Sequence, residues 1–142
     1  MAQTKKRITK TARDNNTNYA IGRRKKSIAH VWFAEGKGKV TINGKTPREY
    51  FPNEIVINDM MQPLVLLLAD KKFDINVKVN GGGFSGQAGA IRLAIANVLV
   101  KVNGDDKKIL KLKKLTTRDK RVKERKKYGK YGARRSPQFT KR

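Results

Sequence analysis

The stretch Val79–Leu99, VNGGGFSGQAGAIRLAIANVL, decides the fold, and it reads in more than one way. Gly81, Gly83 and Gly86 have the G-x-G-x-x-G spacing of a dinucleotide-binding turn, between an apolar run and a helical pattern. Gly81 to Gly86 also keeps the gap of a phosphate-binding P-loop. There, however, Gln87 stands where the lysine belongs and Ala88 where the magnesium-binding hydroxyl belongs. A dinucleotide fold needs several strand–helix–strand units in a parallel sheet. Here the first strands pattern as a hairpin, and no such series follows Val102. The geometric reading remains: glycines at a strand-to-helix junction allow positive φ and close backbone approach. The free amides of the helix start can also hold a phosphate. A plain packing turn and a turn facing a nucleic acid both satisfy it.

Working outward, KFDINVKVNG sets Phe73, Ile75, Val77 and Val79 against Asp74, Asn76 and Lys78, which predicts a strand. From Gln87 the period becomes helical, with Ile91, Ile95, Val98, Leu99 and Val102 on one stripe and Arg92 and Lys101 away from it. Further upstream, NYAIGRRKKSIAHVWFAEGKGKVTING predicts two strands joined at EGKG. Ile28, His30 and Trp32 share one face there, and Ala29, Val31 and Phe33 the other. TPREYF predicts a helical turn with Thr46 as cap and Pro47 at the first helical position. INDMMQPLVLLLAD predicts a helix capped by Asn58 or Asp59, with Pro63 limiting its N-terminal reach. NGDD then breaks the main helix, and KKILKLKKL reads as a short basic amphipathic piece.

Charge dominates the composition: 35 Lys and Arg against 11 Asp and Glu give +24 over 142 residues, one domain by length. The excess sits at the ends, with +8 in residues 1–26, +3 in 27–104 and +13 in 105–142. Such ends repel themselves, and a polyanion relieves the repulsion; nucleic acid is the first candidate because each neutralised phosphate releases counterion. An anionic membrane is the weaker candidate, since there is neither a twenty-residue apolar run nor a basic amphipathic helix with aromatic anchors. With no cysteine, thiolate metal sites and cysteine nucleophiles are excluded. His30, the single histidine, reads as a sheet residue beside Trp32, so neither a metal site nor a catalytic triad assembles. No cofactor, small-molecule substrate or enzymatic activity is expected. The N-terminus MAQTKKRITKTARDNNTN lacks the apolar core of a secretory signal. It reads as a basic extension, with an organellar transit peptide as the alternative.

Two basic runs are the candidate contacts, GRRKK (Gly22–Lys26) and RDKRVKERKKYGKYGARR (Arg118–Arg135). Tyr128, Tyr131 and Phe139 add flat faces on which bases stack, while Gly129, Gly132 and Pro137 oppose helix. Fourteen residues from Gly129 onward span up to about 45–50 Å when extended, enough to enter a crevice in folded RNA. A general nucleic-acid compactor and a nucleotide-dependent enzyme are the competing classes.

GRRKKSIAHVWF, GKVTINGK, PREYF, VNGGGFSGQAGAIRLAIA, LTTRDKRVKERKKYG and GARRSPQFTKR occur in that order, and together they resemble the small-subunit ribosomal protein nine family in its bacterial and organellar form. The resemblance runs from about Tyr19 to Arg142. It implies an α+β fold: a small mixed β-sheet with helices on one face, a left-handed βαβ crossover, and extended basic N- and C-terminal tails. The implied division is a basic extension over 1–18, an RNA-binding domain over 19–104, and a basic helix and tail over 105–142. Implied partners are small-subunit ribosomal RNA of the head, peptidyl-site transfer RNA and neighbouring head proteins. The expected ribosomal RNA contacts are Arg23, Arg24, Lys25, Lys26, Gly81, Gly82, Gly83, Gly86, Gln87, Arg118, Arg121, Arg125, Lys126, Lys127, Tyr128, Arg134, Arg135, Gln138 and Phe139. Lys141 and Arg142 are expected at the transfer RNA. The implied location is the ribosome, in an organellar matrix (mitochondrion ahead of plastid) or the bacterial cytoplasm. Two features depart from the family pattern: residues 1–18 exceed a minimal member, and Lys113 and Lys114 stand where small or apolar residues are expected.

Overall fold

Alternating apolar residues become strand at four places, and helical periods become helix at four more. The computed structural model describes residues 18–70 and 72–141; the expectations for 1–17 and for Arg142 lie outside them. In chain order the elements are β1 (Tyr19–Arg24), β2 (Ser27–Glu35), β3 (Val40–Ile42), α1 (Pro47–Tyr50), α2 (Glu54–Leu66), β4 (Phe73–Asn80), α3 (Phe84–Val102) and α4 (Asp106–Leu112). The sheet order is β1-β2-β4-β3, mixed, with β3 and β4 parallel and the other pairs antiparallel.

This topology corrects the expected hairpin at EGKG. β2 pairs instead with β1, through a two-residue turn at Lys25–Lys26, and β3 crosses to the far side of β4. The physical reason is length and matching. β4 lies against β2 over eight residue pairs, and its inward Ile75, Val77 and Val79 stand opposite Phe33, Val31 and Ala29. A three-residue strand offers no comparable surface. Asp74 then redirects the loop: its Oδ1 accepts the backbone N–H groups of Lys37, Gly38 and Lys39 at 2.9, 3.0 and 2.9 Å. Those bonds, the one from Lys39 foremost, hold the Asp74 carboxyl below its ordinary pKa.

α1 forms as the sequence predicts, with Thr46 as N-cap, Pro47 first, and the Glu49 side chain accepting the Thr46 N–H at 3.0 Å. α2 differs from expectation. It begins at Glu54 under Asn53, whose Oδ1 accepts the Ile55 N–H at 2.9 Å, and Pro63 lies inside it, buried. Proline forfeits one intrahelical bond there, and burial of Met60, Pro63 and Leu64 against the core offsets the loss. Asp59 is therefore no cap. It pairs with Arg92 of α3.

The expected stripe on α3 is buried at Ile91, Ile95, Val98 and Leu99, but burial extends nearly around the helix. The sheet covers one side and α2 another, and Ala88, Ala90, Ala94 and Ala96 let both come close. Gly22 of β1 shows how close: a Cβ there would lie 1.9 Å from the Ala90 carbonyl oxygen. The opposite sheet face carries Tyr19, His30 and Trp32 as a stacked set, with the Tyr19 hydroxyl 2.6 Å from His30 Nδ1. That is the half-buried setting expected for the histidine. Among the described residues no helix is long and apolar enough to cross a membrane.

Candidate nucleic-acid interface

The two turns singled out from the sequence meet in space. Lys25 adopts φ +51° at the tip of the β1–β2 hairpin, and Gly81 and Gly82 adopt φ +73° and +67° at the end of β4. A Cβ on Gly81 would lie 2.6 Å from the Lys26 carbonyl oxygen, and one on Gly82 would lie 2.1 Å from Ser27 Oγ. Both positions need glycine twice over, for conformation and for room. Ser27, almost fully buried, donates its hydroxyl to the Gly81 carbonyl at 2.9 Å and so ties the hairpin to the glycine turn. The result is one surface formed by two loops, carrying exposed Arg23, Lys25 and Lys26 beside exposed Gly81, Gly82 and Gly83.

Gly86 and Gln87 do not share that surface. Both are buried at the start of α3. The Gln87 amide donates to the Gly81 carbonyl at 3.3 Å, and its Oε1 accepts the Tyr50 hydroxyl at 3.0 Å. Expected as an RNA contact, Gln87 spends its polar atoms on holding the glycine turn instead, as buried amides must. Gly83 is the N-cap of α3 and brings no side chain to the first amides. Sequence reading missed Ser27, because a serine between a lysine pair and a strand carries no distinguishing signal.

The chain leaves the domain through α4, whose C-terminal turn is closed by the Lys114 and Leu115 amides donating to the Lys111 and Leu110 carbonyls at 2.9 and 3.0 Å. Lys114 takes φ +56°, and Leu115 is buried behind it. The left-handed backbone at Lys114 is a position that glycine adopts most readily. A lysine is tolerated at some conformational cost.

Arg118 and Arg121 lie at the root of the tail. Arg121 forms a two-pronged ion pair with Asp119, 2.9 Å at its shortest, and that guanidinium holds the Asp119 carboxyl far below the usual carboxylate range. Beyond Arg121 the hydrogen bonds and ion pairs of the described residues stay within the tail. Arg134 binds Glu124 at 2.6 and 3.0 Å, the Tyr131 N–H donates to the Arg135 carbonyl at 2.9 Å, and Gln138 Nε2 donates to the Thr140 carbonyl at 2.8 Å. Arg125, Lys126, Lys127, Arg135 and Lys141 are exposed, and so are Tyr128 and Phe139, at 93% and 91%. Arg121 thus lines one cleft with Arg23 and Arg24, while the tail residues beyond it make no bond to the two-loop surface among the described residues. Cations interleaved with bare aromatic rings suit phosphate neutralisation and base stacking. Among the described residues β3–β4 is the only parallel pair in the sheet, which does not give the glycine turn the doubly wound frame of a dinucleotide site.

The profile of the family described as "Ribosomal protein S9/S16" matches residues 22–142, which takes in both loops and the whole tail. The chain belongs to that ribosomal protein family. It is 62% identical over 131 residues to "Small ribosomal subunit protein uS9" of Mycoplasma genitalium, covering 91% of this chain and 99% of that one. The protein so named from Malacoplasma penetrans is 61% identical over 129 residues, covering 90% and 99%. That from Mesoplasma florum is 52% identical over 121 residues, covering 85% and 92%. As a member of this ribosomal family the chain is a structural, RNA-binding component of the small ribosomal subunit and not an enzyme. The α+β expectation, a small mixed sheet with helices packed against it, agrees with the observed architecture.

Proposed function

We propose that the domain seats on ribosomal RNA in the head of the small subunit, beside other head proteins, and that its tail reaches the peptidyl-site transfer RNA. The observation carrying this reading is the tail itself. Past Arg121 it makes no ion pair or hydrogen bond to its own domain among the described residues, yet it presents cations and open aromatic rings along its length. A segment of that composition gains its order from a polyanion. Its contribution is positive charge and flat surface, with little sequence readout. The relatives named above are bacterial, which favours a bacterial cytoplasm over the organellar matrix that the sequence left as the alternative.

Deleting Gln138–Arg142 tests the tail. Subunits carrying the shortened chain are expected to assemble normally and to bind peptidyl-site transfer RNA more weakly, with a shallower salt dependence. Unchanged affinity across a salt series refutes the assignment.

A further inference from the structure

Between the root of the tail and the domain lies a cleft of about 160 Å³, roomy beside the roughly 30 Å³ share of one water. Arg23 and Arg24 enter it from β1, Arg92 from α3, and Lys114 and Arg121 from the tail side. Five cations thus face one small space. Two acids touch the group: Asp119 is held by Arg121, and Asp59, on α2, is held by Arg92. Arg23, Arg24 and Lys114 have no carboxylate partner among the described residues.

Arg24 supplies a second, independent observation. Its stem lies across Gly89, where a Cβ would stand 2.2 Å from Arg24 Cδ, so the side chain is confined between strand and helix. Its Nε is buried with no hydrogen-bond partner among the described residues. The guanidinium is thus held at the cleft by packing, with no carboxylate of the described residues to neutralise it. The Arg24 charge also contributes to depressing the Asp119 carboxyl, after the larger effect of Arg121. The cleft is therefore electropositive even at its acidic edge.

We infer that this cleft binds one backbone phosphate of ribosomal RNA between Arg24 and Arg92 on the domain and Lys114 and Arg121 on the tail. Neither Arg92 nor Lys114 is expected as a contact from the sequence. A phosphodiester offers two anionic oxygens to these cations, and the guanidinium forks match its geometry. Since the cations come from two sides, the bound phosphate pins the tail at its root and sets the direction in which it leaves the domain. This rests on the ribosomal RNA-binding reading, but not on the transfer RNA assignment.

The test uses the full ¹⁵N-labelled chain and inorganic phosphate, followed through the arginine Nε–H resonances. Saturable shifts at Arg24 and Arg92, at concentrations that leave exposed Arg118 and Arg135 unmoved, are expected. Uniform, non-saturating shifts overturn the site. Arg24→Gln is expected to weaken phosphate and small-subunit ribosomal RNA binding about tenfold or more, the range of a charge-assisted bond. Phosphate loss with unchanged RNA affinity assigns the cleft to free phosphate and overturns the inference. Arg24→Lys, which keeps the charge and most of the stem over Gly89 but has no Nε–H, serves where the glutamine variant fails to fold. Undiminished saturable binding in it overturns the role given to the Arg24 guanidinium fork. The chain without Gln138–Arg142 is expected to keep both responses, so failure of the transfer RNA assignment is read separately.

Discussion

Asn43 makes three bonds of the kind a strand residue makes, although β3 ends one position earlier. Its backbone N–H donates to the Val77 carbonyl at 2.9 Å. Its side-chain Oδ1 accepts the Val79 N–H and its Nδ2 donates to the Val79 carbonyl, both at 3.0 Å, and Nδ2 also reaches the Tyr50 hydroxyl at 3.5 Å. With φ +50°, followed by Gly44 at +81°, it turns the chain while its amide continues the pairing. Asn43→Ala leaves two strand groups unpaired and is expected to cost about 1–3 kcal/mol, measured by denaturant unfolding. Gly82→Ala is expected to cost about 1–3 kcal/mol for its left-handed backbone alone. The displaced Ser27 hydroxyl adds to that by releasing Gly81, so RNA affinity is expected to fall with stability. At Asp74 the folded carboxyl has a pKa below the unfolded value near 3.8. Its stabilising effect is therefore fully present above that value and lost as pH falls through the folded pKa. The difference in Tm between the parent and Asp74→Asn is expected to be widest near neutral pH and to shrink below pH 3.8.

Helix ends decide two of the element-scale expectations. α2 and α4 close with the same pattern: Leu68 and Ala69 donate to Val65 and Leu64 after α2, as Lys114 and Leu115 do to Lys111 and Leu110 after α4. Leu68 at φ +51° is 79% exposed, so its side chain contributes little to set against the strain of its backbone. Leu68→Gly is expected to raise stability by up to about 1 kcal/mol, read as an increase in Tm. The β1–α3 contact behaves oppositely. Gly22→Ala pushes a methyl into the Ala90 carbonyl and is expected to destabilise by about 1–3 kcal/mol or more. β1 itself was illegible because its turn is Lys25–Lys26, with no Gly, Asn or Asp to announce a hairpin. Asn43–Gly44, in contrast, is a residue pair that announces a turn. It closes the single bridge Ile42–Lys45 rather than a hairpin between long strands.

At the scale of the whole molecule, charge and fold divide the work. The domain buries its apolar surface between one sheet face, α3 and α2, while most of the +24 lies outside 27–104. Binding to small-subunit RNA is expected to fall steeply with salt. Replacing two exposed tail cations, Arg125 and Lys127, by Gln is expected to reduce the log–log slope by about 0.7–0.9 for each phosphate that is no longer neutralised. Filter binding across a salt series checks this, and thermal unfolding of the free variant is expected to be unchanged.

The nature of the partner, the strand at Phe73–Asn80 and the helix that follows it were written in the sequence, because net charge and apolar period are properties of the chain alone. Register, partner and adjacency were not. β3 beside β4, Pro63 inside α2, Gln87 turned inward and Arg24 confined over Gly89 all depend on contacts between residues distant along the chain. A glycine at Gly82 announces a turn, but only the folded chain puts Ser27 where its side chain would be. Local patterning sets which segments can be strand or helix, and competition for the same buried surface sets which of them meet.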